Sequence, residues 1–196
     1  MGTDVLVVGG GPAGLATAIA ASLRGLRVMV ADSRRPPIDK TCGEGLLPEA
    51  VVALGRLGIE LNSHLAFPLK GIRFTDGEYS ACGTLSEGTA FGLRRTALNQ
   101  LLIERAAELG VTFLWGARVS GIESRAVTIN GTRHLCRWIV GADGRESTVR
   151  KWARLTARGT PRVRFGFRRH YSIAPWTENV EVYWGERCQM FATPTG

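Results

Sequence analysis

Gly9, Gly11 and Gly14 stand at the G-x-G-x-x-G spacing directly after the apolar run Val5 to Val8, and such an arrangement does its chemistry with backbone alone. The first glycine allows a tight turn, the second lets main chain approach a pyrophosphate, and the third lets the following helix pack on the strand. Pro12 and Ala13 open that helix, where Pro12 needs no N–H, so the free N–H groups and positive dipole end face the phosphates. Asp32 lies eighteen positions beyond Gly14, at the end of a second apolar run. An acid there accepts hydrogen bonds from the ribose hydroxyls of an adenosine. The pattern predicts a dinucleotide-binding unit.

A second constellation is Gly141-Ala142-Asp143-Gly144-Arg145-Glu146-Ser147-Thr148-Val149-Arg150. It reads as a strand end, a turn set by Gly144 and a helix start capped by Ser147. Asp143 is placed to accept from a ribose or from backbone N–H, and Arg150 to anchor the loop. Other chemistry finds little support. Cys42, Cys82, Cys136 and Cys188 are far apart without a C-x-x-C pair, and His64, His134 and His170 are scattered. No zinc site, disulfide scaffold or triad is predicted, and Cys82, Cys136 and Cys188 are expected to be buried thiols.

The elements that must position these residues follow from periodicity. Val5–Val8, Leu26–Ala31, Val111–Trp115 and Trp138–Ala142 read as short strands buried in a parallel sheet. Helices are predicted over Pro12–Arg24, Pro48–Leu57, Thr96–Leu109 (capped by Thr96, stopped by Gly110) and Ser147–Ala153. Asp76-Gly77 and Asn130-Gly131 mark hairpin turns, the first joining Gly71–Thr75 to Glu78–Cys82, the second Ala126–Ile129 to the strand from Thr132. Arg162–Ile173, Val180–Trp184 and Cys188–Thr193 read as three further strands. The expected fold is α/β: a Rossmann-like domain with a parallel sheet and a β-hairpin insertion, plus part of an antiparallel substrate-domain sheet. The division expected is 1–70 with 93–156 against 71–92 with 157–196.

The 196 residues carry a net charge of +8, and eleven Arg or Lys face two acids between Arg133 and Arg169. No nucleic-acid motif accompanies that run, so a solvated face or one meeting cofactor phosphates is the better reading. No stretch of roughly 18 apolar residues predicts a membrane span. The N-terminus, lacking a basic leader and carrying Asp4 and three glycines, reads as buried strand and helix, with a cytoplasmic location expected. Peripheral membrane contact and oligomeric state stay open.

Together the two motifs resemble the flavoprotein superfamily of aromatic-ring hydroxylases and geranylgeranyl reductases, over nearly the whole chain. The resemblance implies FAD as cofactor and NAD(P)H as reductant. The reaction implied is either oxygen-dependent hydroxylation of an aromatic substrate or reduction of an isoprenoid double bond. It implies that Gly9, Gly11, Pro12, Ala13 and Gly14 hold the ADP part and Asp32 the adenosine ribose, while the backbone of Val119 touches adenine. Asp143 and Gly144 match a motif near the FAD pyrophosphate, and Arg95 an arginine reaching the flavin side. The stretch Lys40-Thr41-Cys42-Gly43-Glu44-Gly45-Leu46 is similar to one running beside the isoalloxazine ring in the reductase-like and halogenase-like branch. The similarity implies that Gly43 and Gly45 let backbone approach the ring; Lys40 is expected either to pair with cofactor phosphate or to be solvated, and Cys42 either to be the one thiol with a functional role or to serve packing. The second Gly-Asp motif of that superfamily is missing, since the sequence contains no Gly-Asp dipeptide. The expectation is therefore a chain covering about the first half of a family member, and the alternative is a non-catalytic nucleotide-binding module completed by another chain.

Overall fold

The computed structural model describes residues 2–85, 89–155 and 164–195. In chain order the elements are β1 (Thr3–Val8), α1 (Pro12–Ser22), β2 (Val28–Asp32), β3 (Gly45–Leu46), α2 (Pro48–Arg56) and β4 (Phe67–Leu69). Then come β5 (Gly71–Asp76), β6 (Tyr79–Thr84), β7 (Ala90–Gly92), α3 (Arg95–Glu108), β8 (Thr112–Trp115) and β9 (Val119–Glu123). The remainder are β10 (Ala126–Ile129), β11 (Thr132–Gly141), α4 (Thr148–Trp152), β12 (Asn179–Trp184) and β13 (Gln189–Ala192). The chain forms two compact units, one of Met1–Asp39 with Leu98–Arg164, the other of Lys40–Ala97 with Phe165–Gly196.

The first unit is built on a six-stranded sheet of order β8-β2-β1-β11-β10-β9. The strands from β8 to β11 run parallel, and β10 and β9 continue antiparallel. β1 is central and apolar throughout its inner length, with Leu6 and Val7 fully buried, as a strand covered on both faces requires. Leu15 and Ile19 of α1 are fully buried too. Leu6, Val8, Ala31, Val127, Ile129 and Val149 form one apolar cluster, which joins the parallel and antiparallel parts of the sheet. Asn130 and Gly131 both take positive φ, +48° and +80°, as a two-residue hairpin turn demands.

β11 departs from expectation. It runs unbroken over ten residues, and Trp138 is 63% exposed rather than buried. Its neighbours β1 and β10 satisfy its backbone, and the Trp138 side chain stays exposed although its ladder partner Val5 is buried.

The second unit holds two smaller sheets. One has the order β13-β12-β5-β6; its pairs are antiparallel except for β12 with β5, which run parallel. The other is β3-β7-β4, antiparallel. The strand expected over Arg162–Ile173 is not formed in its described part. Residues 164–173 carry no strand, because none of the described strands offers them a ladder, and positions 162 and 163 lie outside the described residues. Of the cysteines expected to be buried, only Cys136 is. Cys82 sits on the edge strand β6, every residue of which is exposed, and Cys188 in the turn between β12 and β13.

Candidate functional site: a dinucleotide cradle and a buried carboxylate

In the first unit β1 delivers the chain into a turn at Gly9, whose φ of +114° is the left-handed conformation that a side chain disfavours. Its N–H donates to the Ala31 carbonyl at 2.8 Å, and a β-carbon there would run into the Ala142 carbonyl. A β-carbon on Gly14 would overlap the Gly9 carbonyl oxygen, so α1 can sit this close to β1 only with glycine. Gly11 is the N-cap in extended conformation and Pro12 opens the helix. Among the described residues no side-chain cap closes α1 at Gly11, so the N–H groups of its first turn are left for a ligand or solvent.

Asp32, at the end of β2, accepts from the Gly10 N–H at 2.7 Å and, with its other oxygen, from the Arg34 N–H at 2.8 Å. The Gly10 carbonyl is held from the other side by Asn99 of α3, whose amide donates to it at 3.2 Å. The Asn99 side-chain oxygen accepts from the Ile38 N–H at 2.9 Å, and the residue is fully buried. One peptide of the glycine turn is thus clamped at N–H and C=O by two side chains from distant elements. Asn99 was not among the sequence candidates; the only signal was a polar residue inside an otherwise apolar helical stripe.

Asp143 spends its carboxylate within its own loop. It accepts from the Ser147 hydroxyl and from the N–H groups of Thr148 and Val149, at 2.6 and 3.1 Å for the last two. Burial by itself would raise its pKa; these hydrogen bonds outweigh burial and hold the carboxyl below its ordinary value. Ser147 caps α4 as expected, accepting from the Arg150 N–H at 2.9 Å, and Arg150 anchors the loop through the Arg145 carbonyl at 2.7 Å. Gly144 takes a φ of +85° in the same turn. Val119 lies at the start of β9, its side chain against the apolar cluster and its register partner Ile129. The first unit therefore brings together Gly9, Gly11, Pro12, Ala13, Gly14 and Asp32 around one turn, with Asp143 and Gly144 following β11, the strand paired with β1.

Lys40, Cys42, Gly43 and Arg95 belong to the second unit. Lys40, Cys42 and Gly43 are exposed, and a β-carbon on Gly43 would meet nothing within 4 Å. What organises this stretch is Glu44, which the sequence reading passed over. Its buried carboxylate accepts from the Arg95 N–H at 2.8 Å, from Arg168 Nη1 at 3.0 Å and from His170 Nε2 at 2.7 Å. α3 accordingly starts at Arg95, and Thr96, the expected cap, lies inside its first turn. Among the described residues, Arg95 Nε is buried without a hydrogen-bond partner.

In the first unit, the uncapped start of α1 with the Asp32 carboxylate beside the glycine turn fits an acidic dinucleotide. The family described as FAD binding domain matches residues 2–184. The chain is 34% identical to menaquinone reductase of Mycolicibacterium smegmatis, over 91% of this chain and 48% of that protein. It is 31% identical to rifampicin monooxygenase of Rhodococcus hoagii, over 76% of this chain and 33% of that protein. Among solved structures, PqsL of P. aeruginosa in complex with 2-aminobenzoylacetate superposes with a TM-score of 0.79 at 20% identity, covering 100% of this chain and 58% of that one. The chain thus spans about half the length of the menaquinone reductases it matches. With the match running from the first strand to the end of β12, the chain belongs to the FAD-binding domain family of flavoprotein oxidoreductases.

Proposed function

We propose that this chain is the FAD-holding portion of an NAD(P)H-linked oxidoreductase that works as a reductase on a small isoprenoid-type substrate. The observation that carries FAD binding is the Gly10 peptide fixed between Asp32 and Asn99 beside the uncapped start of α1. Backbone N–H groups and the helix dipole there take the pyrophosphate, at no cost in side-chain ordering. Asp32 has already spent an acceptor position on each oxygen, which fixes its carboxylate plane; the remaining lone pairs serve ribose hydroxyls. Asp143 acts at one remove, by holding the start of α4 and the Gly144 turn in shape. In the second unit Lys40, Cys42, Gly43 and Arg95 serve the flavin side, Arg95 through its unpartnered Nε and Gly43 by leaving space. Bound FAD would supply hydride transfer; the protein's share is to bind, orient and exclude water. A cytoplasmic location accompanies the use of NAD(P)H.

The reductase reading is favoured by the similarity to menaquinone reductase over 91% of the chain. A hydroxylase is the second reading, favoured by the similarity to rifampicin monooxygenase. FAD titration of the purified chain, followed by flavin fluorescence, tests the cofactor site. Saturable binding is expected, weakened at least about tenfold by Asp32→Ala or Gly11→Val. A folded chain that ignores FAD overturns the reading. Where binding holds, NADPH oxidation with substrate in the absence of oxygen separates reductase from hydroxylase, since only the former turns over.

A further inference from the structure

We propose that Glu44 is a positioning residue for bound FAD, one carboxylate fixing both the stretch from Thr41 to Gly45 and the start of α3 from which the Arg95 guanidinium departs; this rests on the reading above. Its side chain is 6% exposed and collects donors from two separate parts of the chain, the Arg95 N–H on one side and Arg168 and His170 on the other. Its main chain is tied as well, the carbonyl accepting from the Leu93 N–H at 2.8 Å and the N–H donating to Cys42 Sγ at 3.5 Å. Arg168 also donates to the Lys40 carbonyl, and the Thr41 hydroxyl to the Gly166 carbonyl, so residues 40–44 and 166–170 are stitched along their length.

The protonation pattern follows from the donors. His170 Nδ1 lies 3.4 Å from Arg94 Nη2, which can only donate, so Nδ1 accepts and Nε2 carries the proton offered to Glu44. Glu44 is thereby a pure acceptor of three hydrogen bonds, a task that an amide, with one accepting oxygen, performs only in part. The backbone adds a second sign. Glu44 has a φ of +56°, a conformation that glycine adopts freely and a long side chain does not, and such outliers mark functional constraint more often than chance. Beside this satisfied carboxylate, Arg95 Nε is the buried polar atom with no partner among the described residues. Glu44 fixes the Arg95 backbone but leaves this donor open.

The test uses the chain as it is, with FAD as the probe and two readouts, the dissociation constant and the visible circular dichroism of the bound flavin. The second reports the surroundings of the ring, and a role confined to stability would not move it. Glu44→Ala is expected to weaken FAD binding about tenfold and to change the visible dichroism, and Glu44→Gln to recover affinity to within about threefold of the parent. Should Glu44→Ala not fold, His170→Gln and Arg168→Lys, each of which keeps a donor to the carboxylate, must still change the dichroism. A Glu44→Ala protein that melts earlier yet binds FAD with the parent's affinity and spectrum overturns the proposal while leaving the cofactor reading intact. Absence of FAD binding by the parent chain overturns both.

Discussion

Two glycines separate packing from ligand approach at the scale of single residues. Gly14 has the Gly9 carbonyl where its β-carbon would be, whereas Gly43 has open space. Gly14→Ala should therefore destabilise the fold by at least about 2 kcal/mol, as overpacked sites do, whether or not FAD is present. Gly43→Ala should leave the unfolding free energy within about 0.5 kcal/mol of the parent and act only on FAD affinity. Urea melts with and without FAD distinguish the two. Asp4 makes a pH prediction. The Arg27 side-chain and backbone hydrogen bonds hold its carboxyl at about 2, below the ordinary 3.8. A depressed folded-state value means stability that is complete above the ordinary value and lost as pH falls toward 2. Between pH 4 and 2 the Tm should therefore fall, and less steeply in Asp4→Asn.

Elements were legible where they are periodic and local. β1, α1 and the Asn130-Gly131 hairpin could be read off apolar runs and turn chemistry, and each forms within one or two residues of its expected bounds. α1 ends two residues earlier than read, at Ser22. What escaped depends on contacts far along the chain. Asn99 bonds to residues 61 and 89 positions away, and nothing in its own neighbourhood announces them. The same holds for Glu44, whose donors Arg168 and His170 lie more than a hundred residues on. The alternation over 164–173 has the signature of a strand, but a strand needs a partner as well as a pattern. The contribution of α3 to the glycine turn is testable on its own. Asn99→Leu keeps the volume but strands the Ile38 N–H and the Gly10 carbonyl, and should cost about 3 kcal/mol in chemical denaturation.

Charge and apolar exposure decide what the whole molecule can meet. The basic run from Arg133 to Arg169 is not one uncompensated stripe. Arg133 pairs with Glu123, Arg137 with Asp4, and Arg168 with Glu44, while Arg150 spends its guanidinium on a carbonyl. Those pairings weaken the case for a nucleic-acid footprint. Among the described residues no helix is long and apolar enough to cross a membrane. Phe165 and Phe167 are 83% and 94% exposed, and Tyr171, Ile173 and Trp176 are exposed as well, an apolar stretch of the kind that marks interaction surfaces. The topology of the first unit bears on how the chain is made. β1 lies between β2 and β11, and Val5 finds its partner Trp138 only after more than a hundred intervening residues. During synthesis the glycine turn thus emerges well before β11 and is completed late, its central strand keeping an open hydrogen-bonding edge until Gly141 has left the ribosome. Such high contact order slows folding and exposes nascent chain to misassembly. Ribosome-stalled chains ending at Asn130 should be digested by a protease dose that spares the finished chain, so the glycine turn, though it follows the first strand of the sheet, is among the last parts of the unit to acquire its shape.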